Sequence, residues 1–181
     1  MFKWIMHKLF TRIGAAYNYD TAYMHEVTDV SAGAALRYFG LPMLSQMRGP
    51  NVEVWAGASL GSVLDGDCGP CAQLVIDISI SAGVSVEALR ACLRGDIDQA
   101  GAVGLGYRFA YAAIQGSTDL EDLRQEVIDN YGKEALISAA YASAVARAFP
   151  VLKRGLGHGY LCQRLEVGGQ PVSVTRSVGS D

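Results

Sequence analysis

Asp67-Cys68-Gly69-Pro70-Cys71-Ala72-Gln73-Leu74-Val75-Ile76-Asp77-Ile78-Ser79-Ile80-Ser81-Ala82-Gly83 decides the fold class, because it carries two incompatible periodicities. Ile76, Ile78 and Ile80 alternate with Asp77, Ser79 and Ser81, which is the period-two pattern of a strand. Leu74, Val75, Ile78 and Ala82 instead make one helical face, and Gly83 is placed to end a helix in the left-handed conformation. The helical reading is the one adopted. It puts the two cysteines at a helix N-terminus, behind the polar turn Asp65-Gly66-Asp67.

Upstream, Asp20 predicts the start of a helix over residues 21–30, and Ser31 that of another reaching Met47 with a bend before Pro42. Gly49 and Pro50 break the chain, and Asn51 opens a helix over 52–64. Downstream, Ser85 caps 86–93 ahead of Gly95, and a glycine-rich loop leads into 103–114, which Gly116 stops. Thr118 with Glu121 is a capping-box signature, and Leu120, Leu123, Val127, Ile128 and Tyr131 then recur at helical spacing up to Gly132. Leu136, Ile137, Ala140, Tyr141, Ala144, Val145 and Ala148 give a further helix, rich in small residues, which Pro150 bends or ends. Only the tail changes period: Leu165, Val167, Val172 and Val174 flank Gly168-Gly169 as a short hairpin would.

The expected fold class is therefore all-α with a short C-terminal hairpin. We expect one domain over residues 1–181, with an N-terminal helical arm over 1–30 and a hairpin or tail over 163–181. Half of the residues are apolar, enough for a sizeable core, and the net charge of −3 carries no basic nucleic-acid footprint. Residues 1–13 mix Phe2, Trp4, Ile5, Leu9, Phe10 and Ile13 with Lys3, His7, Lys8 and Arg12, an amphipathic pattern without the uninterrupted apolar run of a secretory signal or a membrane span. A helix of that kind packs on its own domain or on a second subunit more often than on a membrane. Four cysteines are too few for a disulfide-stapled secreted scaffold, so a cytoplasmic setting is expected.

The chemistry concentrates in Cys68-Gly69-Pro70-Cys71. Two cysteines three apart on a turn entering a helix bring their Cα atoms within the roughly 4.4 to 6.8 Å that a disulfide requires. Unpaired N–H groups and the helix dipole favour thiolate there, while Asp65 and Asp67 push the other way. Zinc would need two more ligands, for which His158 and Cys162 are candidates, but their spacing does not look like a knuckle and no metal is expected. Cys92, beside Leu89 and Leu93, reads as core. Glu53, Asp77 and His25 are possible proton carriers.

Asp67-Cys68-Gly69-Pro70-Cys71-Ala72-Gln73-Leu74, followed by Tyr107-Arg108-Phe109-Ala110 and by the stretch from Ala146 through Arg147, Pro150, Lys153, Arg154 and Gly157 to Gly159, resembles the alkylhydroperoxidase D-like and carboxymuconolactone decarboxylase superfamily. The likeness spans about residues 35–162. It implies an alkylhydroperoxidase D-like helical domain that assembles into homo-oligomers, with Cys71 as the attacking thiol and Cys68 as the resolving one. It also implies a hydroperoxide or protein disulfide as substrate, a reducing protein partner, and no cofactor beyond the cysteines. The decarboxylase branch lacks the cysteine pair.

The family's proton relay would place a glutamate and a histidine where this chain has Ala56 and Val75. The substitutes within reach by sequence are Glu53, one helical turn from Ala56, and Asp67, adjacent to the thiols. The candidate catalytic residues are thus Cys71, Cys68, Asp67 and Glu53. Cys-Gly-Pro-Cys is also the thioredoxin tetrapeptide, but Gly57, Ser59, Gly61 and Ser62 read poorly as the buried strand that must precede it there. Three functions compete: a CxxC thiol-disulfide oxidoreductase or peroxidase, an oligomeric helical scaffold whose cysteines are structural or bind zinc, and a decarboxylase-like lyase.

Overall fold

The computed structural model describes residues 1–159 and 164–174. Its order is α1 (Phe2–Tyr17), α2 (Ala22–Val30), α3 (Ala32–Ser45), α4 (Val52–Asp65), α5 (Gly69–Ser81), α6 (Val86–Arg94), a 3-10 turn (Ile97–Ala100), α7 (Gly101–Gln115), α8 (Leu120–Gly155), β1 (Arg164–Val167) and β2 (Gln170–Ser173). The all-α expectation holds, and the ambiguous segment after the cysteines is helix. Caps set the helix starts: Ser31, Asn51 and Ser85 accept from the N–H groups of Ala34, Val54 and Ala88 at 3.2, 2.9 and 3.3 Å. Asp20 accepts from the Ala22 N–H at 2.9 Å. Gly95 and Gly116 close α6 and α7 in the left-handed region, with φ of 89° and 67°.

Helices α4, α7 and α8 form the centre and pack on one another. Gly57 faces the Val103 carbonyl and Gly106 faces that of Val54, so a methyl at either would collide with the opposite backbone. Their lack of a side chain is what lets α4 and α7 touch along their main chains. Ser62 Oγ, buried in this layer, donates to the Ser143 carbonyl at 2.5 Å, joining α4 to α8. A second, aromatic cluster of Met6, Phe10, Tyr19, Tyr23, Met24 and Tyr38 lies between α1, α2 and α3 and meets α8 at Phe149 and Leu152. The N-terminal segment, with α3, thus packs as a layer on the rest of the chain.

Some of the expected boundaries are corrected. No capping box forms at Thr118: α8 starts at Leu120 behind Asp119, whose carboxylate pairs with the Ser117 hydroxyl. The two helices expected on either side of Gly132 are present: within α8 the backbone leaves helical geometry at Gly132 (φ 84°, ψ 168°), a conformation that glycine adopts readily, and the second helix runs on to Gly155. Of the two alternatives at Pro150, an end is ruled out, since α8 continues to Gly155, and α3 stops at Ser45 short of the expected Met47. The glycine-rich loop before Val103 is already ordered as the 3-10 turn and the first residues of α7.

The hairpin pairs Leu165 with Val172 and turns through Gly168 and Gly169, both at positive φ. It does not stand alone. The Gln73 side-chain amide donates to the Glu166 carbonyl at 2.9 Å and its oxygen accepts from the Glu166 N–H at 2.8 Å, while Arg90 donates to the Val167 carbonyl at 2.8 Å. Leu165 and Val167 are buried beneath these bonds. Cys162, one of the four residues of the zinc set considered above, lies outside the described residues.

Candidate functional site

The cysteine turn is clamped from α8. Arg154 donates to the Gly66 carbonyl at 2.8 Å, and Arg147 forms an ion pair with Asp65, which also accepts from Gln115 at 2.8 Å. Asp65 is therefore committed to the clamp and its charge is neutralised. Asp67 adopts φ 52°, a left-handed conformation that acidic and amide side chains tolerate better than most, and its N–H donates to the Leu64 carbonyl at 3.0 Å. This bend turns the chain so that Cys68 becomes the N-cap of α5.

Cys68 Sγ accepts from the Cys71 N–H at 3.4 Å, and Pro70 sits in the first turn, where its missing N–H costs nothing. The Cα atoms are 5.3 Å apart and the two sulfurs are at bonding distance, so the pair is a disulfide. Both residues are buried, at 5 and 4 % exposure.

Cys71 opens onto a cavity of about 270 Å³ between the two layers. Phe10 and Ile13 of α1, Phe39 of α3, and Leu74, Val75 and Ile78 of α5 make its walls largely apolar. Its polar atoms are mainly hydroxyls. Tyr19 Oη is 3.9 Å from Cys71 Sγ and 3.3 Å from Tyr23 Oη, which in turn is 2.7 Å from Tyr38 Oη. Burial pushes all three phenols far above the ordinary tyrosine value, with their mutual proximity adding to it for Tyr19 and Tyr23. Lys153 of α8 is 1 % exposed and holds Nζ 4.8 Å over the Tyr19 ring and 5.0 Å over that of Tyr23. Burial pulls its pKa down, against the opposing pull of Asp20.

Of the residues proposed from sequence, the structure brings Cys68 and Cys71 together, with Asp67 beside them. Glu53 is not among them. It stands in the first turn of α4, about 15 Å along the helix axis from Val63, whose carbonyl receives the Cys68 N–H at 3.5 Å. Ser59 and Val63 present the cavity-facing side of α4, and Glu53 does not line the cavity. Asp77 accepts from Gln73 at 2.9 Å and its pKa is raised by burial, while His25 Nδ1 is 2.5 Å from His7 Nδ1, on a ring stacked at 4.8 Å. His158 pairs with Glu26 at 2.6 Å. Cys92 is buried off the cavity and its thiol is pushed up to about 12.

Tyr19, Tyr23, Tyr38 and Lys153 were not legible as site residues. The tyrosines and Lys153 lie in stretches of the sequence that no spacing links to the cysteines. No family profile, characterised protein or solved structure matches the chain.

Proposed function

We propose that the chain is a dithiol-disulfide oxidoreductase of the alkylhydroperoxidase D-like kind, reducing a small apolar hydroperoxide with Cys71 as the attacking thiol and Cys68 as the resolving one. The observation that carries this reading is the position of Cys71: its sulfur is bonded to Cys68 at a helix N-terminus and faces an apolar cavity of about 270 Å³. Both cysteines are nearly inaccessible from outside, which favours a small oxidant entering the cavity over a protein disulfide docking on the surface. Arg147 and Arg154 hold the turn by partners other than the sulfurs, so the loop geometry survives opening of the disulfide.

The reaction balances without a cofactor. Cys71 thiolate attacks the terminal peroxide oxygen, the O–O bond breaks, and sulfur gives up two electrons to yield a sulfenic acid and an alcohol. Cys68 then displaces hydroxide from that sulfur, releasing water and closing the disulfide. An external thiol reductant small enough to reach the buried pair returns it to the reduced state.

The test is thiol trapping with mass spectrometry over a graded dithiol buffer, followed by addition of one equivalent of an alkyl hydroperoxide and assay of metal on the same sample. The reading expects a reversible Cys68–Cys71 disulfide and its stoichiometric formation by the hydroperoxide. Thiols that stay reduced throughout, or that hold zinc, would return the protein to the scaffold class.

A further inference from the structure

Ala56 and Val75 leave Cys71 without the carboxylate and imidazole that the resemblance would supply, yet its sulfur has a proton partner of another kind. A disulfide sulfur carries no hydrogen, so in the 3.9 Å contact Tyr19 must donate to Cys71 Sγ. A phenol has one hydrogen. The 3.3 Å contact between Tyr19 and Tyr23 therefore runs from Tyr23 to Tyr19, and the 2.7 Å contact runs from Tyr38 to Tyr23. The three hydroxyls form a chain of fixed direction, Tyr38 to Tyr23 to Tyr19 to sulfur.

Resting on the dithiol reading above, we propose that this chain is the acid-base relay of Cys71, with Tyr19 as the catalytic proton donor and Lys153 as a positioning residue acting through the two rings beneath it. In reduction, a thiolate of the reductant attacks Cys68 Sγ, the Cys68–Cys71 bond breaks and a mixed disulfide forms at Cys68. The electron pair leaves on Cys71 Sγ. Tyr19 gives its proton to that sulfur and takes one from Tyr23, which takes one from Tyr38, which recovers its own from solvent in place of the one the reductant released. In oxidation the chain runs in the same direction: as the Cys71 thiolate attacks, Tyr19 hands its proton to the departing alkoxide and takes one from Tyr23, which takes one from Tyr38, which recovers its own from solvent in place of the one Cys71 lost on becoming a thiolate.

Burial keeps these phenols protonated at every physiological pH, so they begin each step as donors. The Lys153 ammonium over two ring faces lowers the cost of the negative charge that crosses the hydroxyls in transit. The other charged or titratable groups facing the chain are Asp20 beside Tyr19, His158 with its ring 6.3 Å from Tyr23 and paired to Glu26, and Asp67 next to Cys68. Among the described residues, Lys153 is the only cation stacked on these rings.

The test isolates Cys71 in a Cys68→Ser background and follows its alkylation by iodoacetamide against pH, read on the Cys71 peptide, with thermal melts confirming the fold. Adding Tyr19→Phe should move the midpoint to higher pH, slowing alkylation at pH 7 about tenfold with an unchanged plateau, the loss expected for one hydrogen bond to a charged sulfur. Tyr23→Phe, which keeps the ring packing and only interrupts the chain, and Lys153→Met should move it the same way by less. Superimposable profiles for Tyr19→Phe and Tyr23→Phe overturn the relay, and Tyr23→Phe alone decides the matter should Tyr19→Phe not fold. The dithiol reading is judged on the parent protein by its disulfide yield with hydroperoxide, so either idea can fail without the other.

Discussion

The cavity sets a length scale that turnover must reveal. An apolar cavity of about 150 Å³ accepts benzene, so one of about 270 Å³ should accommodate roughly ten non-hydrogen atoms, or an alkyl hydroperoxide of about eight carbons. Each methylene moved from water into such a wall contributes about 0.8 kcal/mol, or close to a fourfold gain in the second-order rate if the binding is kept in the transition state. Stopped-flow oxidation of the reduced dithiol by a series of primary alkyl hydroperoxides should therefore climb up to about fourfold per carbon and level off near eight carbons. Val75→Trp fills the wall beside Cys71 and should slow the octyl compound more than tenfold while leaving hydrogen peroxide within about twofold. Rates that are flat along the series, or a Val75→Trp variant that slows hydrogen peroxide as much as the long hydroperoxide, would refute the assignment of this cavity to substrate.

Three further outcomes follow from the packing. Gly57→Ala places a methyl against the Val103 carbonyl and should cost about 1 to 3 kcal/mol in urea unfolding, whereas an unchanged midpoint would mean that α4 and α7 do not touch along their backbones. Cys92, with its thiol pushed up to about 12, should resist iodoacetamide at pH 8 until denaturant is added; labelling of the native protein would contradict its burial. Stability should fall steeply above pH 10.5, because the unfolded tyrosines ionise near their ordinary 10.0 while the folded trio keeps its protons. Three protons retained by the native state give a slope of about −4 kcal/mol per pH unit. Lys153 acts in the opposite sense but only below 10.5, where the unfolded chain holds its proton longer than the folded one. Tyr23→Phe should remove about a third of the alkaline slope, measured by urea titrations between pH 10.5 and 11.5.

Local signals made most of the helices legible. Ser31, Asn51 and Ser85 each name a helix start by a side-chain oxygen that satisfies a free N–H, and the structure uses all three. Gly57, Ser59, Gly61 and Ser62 argued correctly against a buried strand, but what the two glycines are for, backbone contact between α4 and α7, needs knowledge of which helix lies opposite. Gly132 and Pro150 divide in this respect: Gly132 breaks helical geometry as its propensity suggests, whereas α8 runs on through Pro150 to Gly155, and Ala135, Ala139, Ala142 and Ala146 are buried between the two. By length and composition α8 is also long and apolar enough to cross a membrane, and its small-residue face packs on α4 and α7.

The site divides along the same line. The dithiol is legible because its geometry is local, two cysteines three positions apart on one turn. Its surroundings are not, because Tyr19 lies 52 positions from Cys71 and no period links them. Lys153 and Arg154 are neighbours at a helix end, where both read as basic residues facing the dipole, yet Arg154 bonds Gly66 at the cysteine turn while Lys153 points inward over two tyrosines. The N-terminal layer supplies the phenols and one wall of the cavity; α4, α5 and α8 supply the other wall, the sulfurs and the cation. In the proposed relay, the packing of that layer over Cys71 would both bury the sulfur and position its proton donor. The packing of α1 to α3, which buries no cysteine of its own, is on this reading a condition of the chemistry as much as of stability.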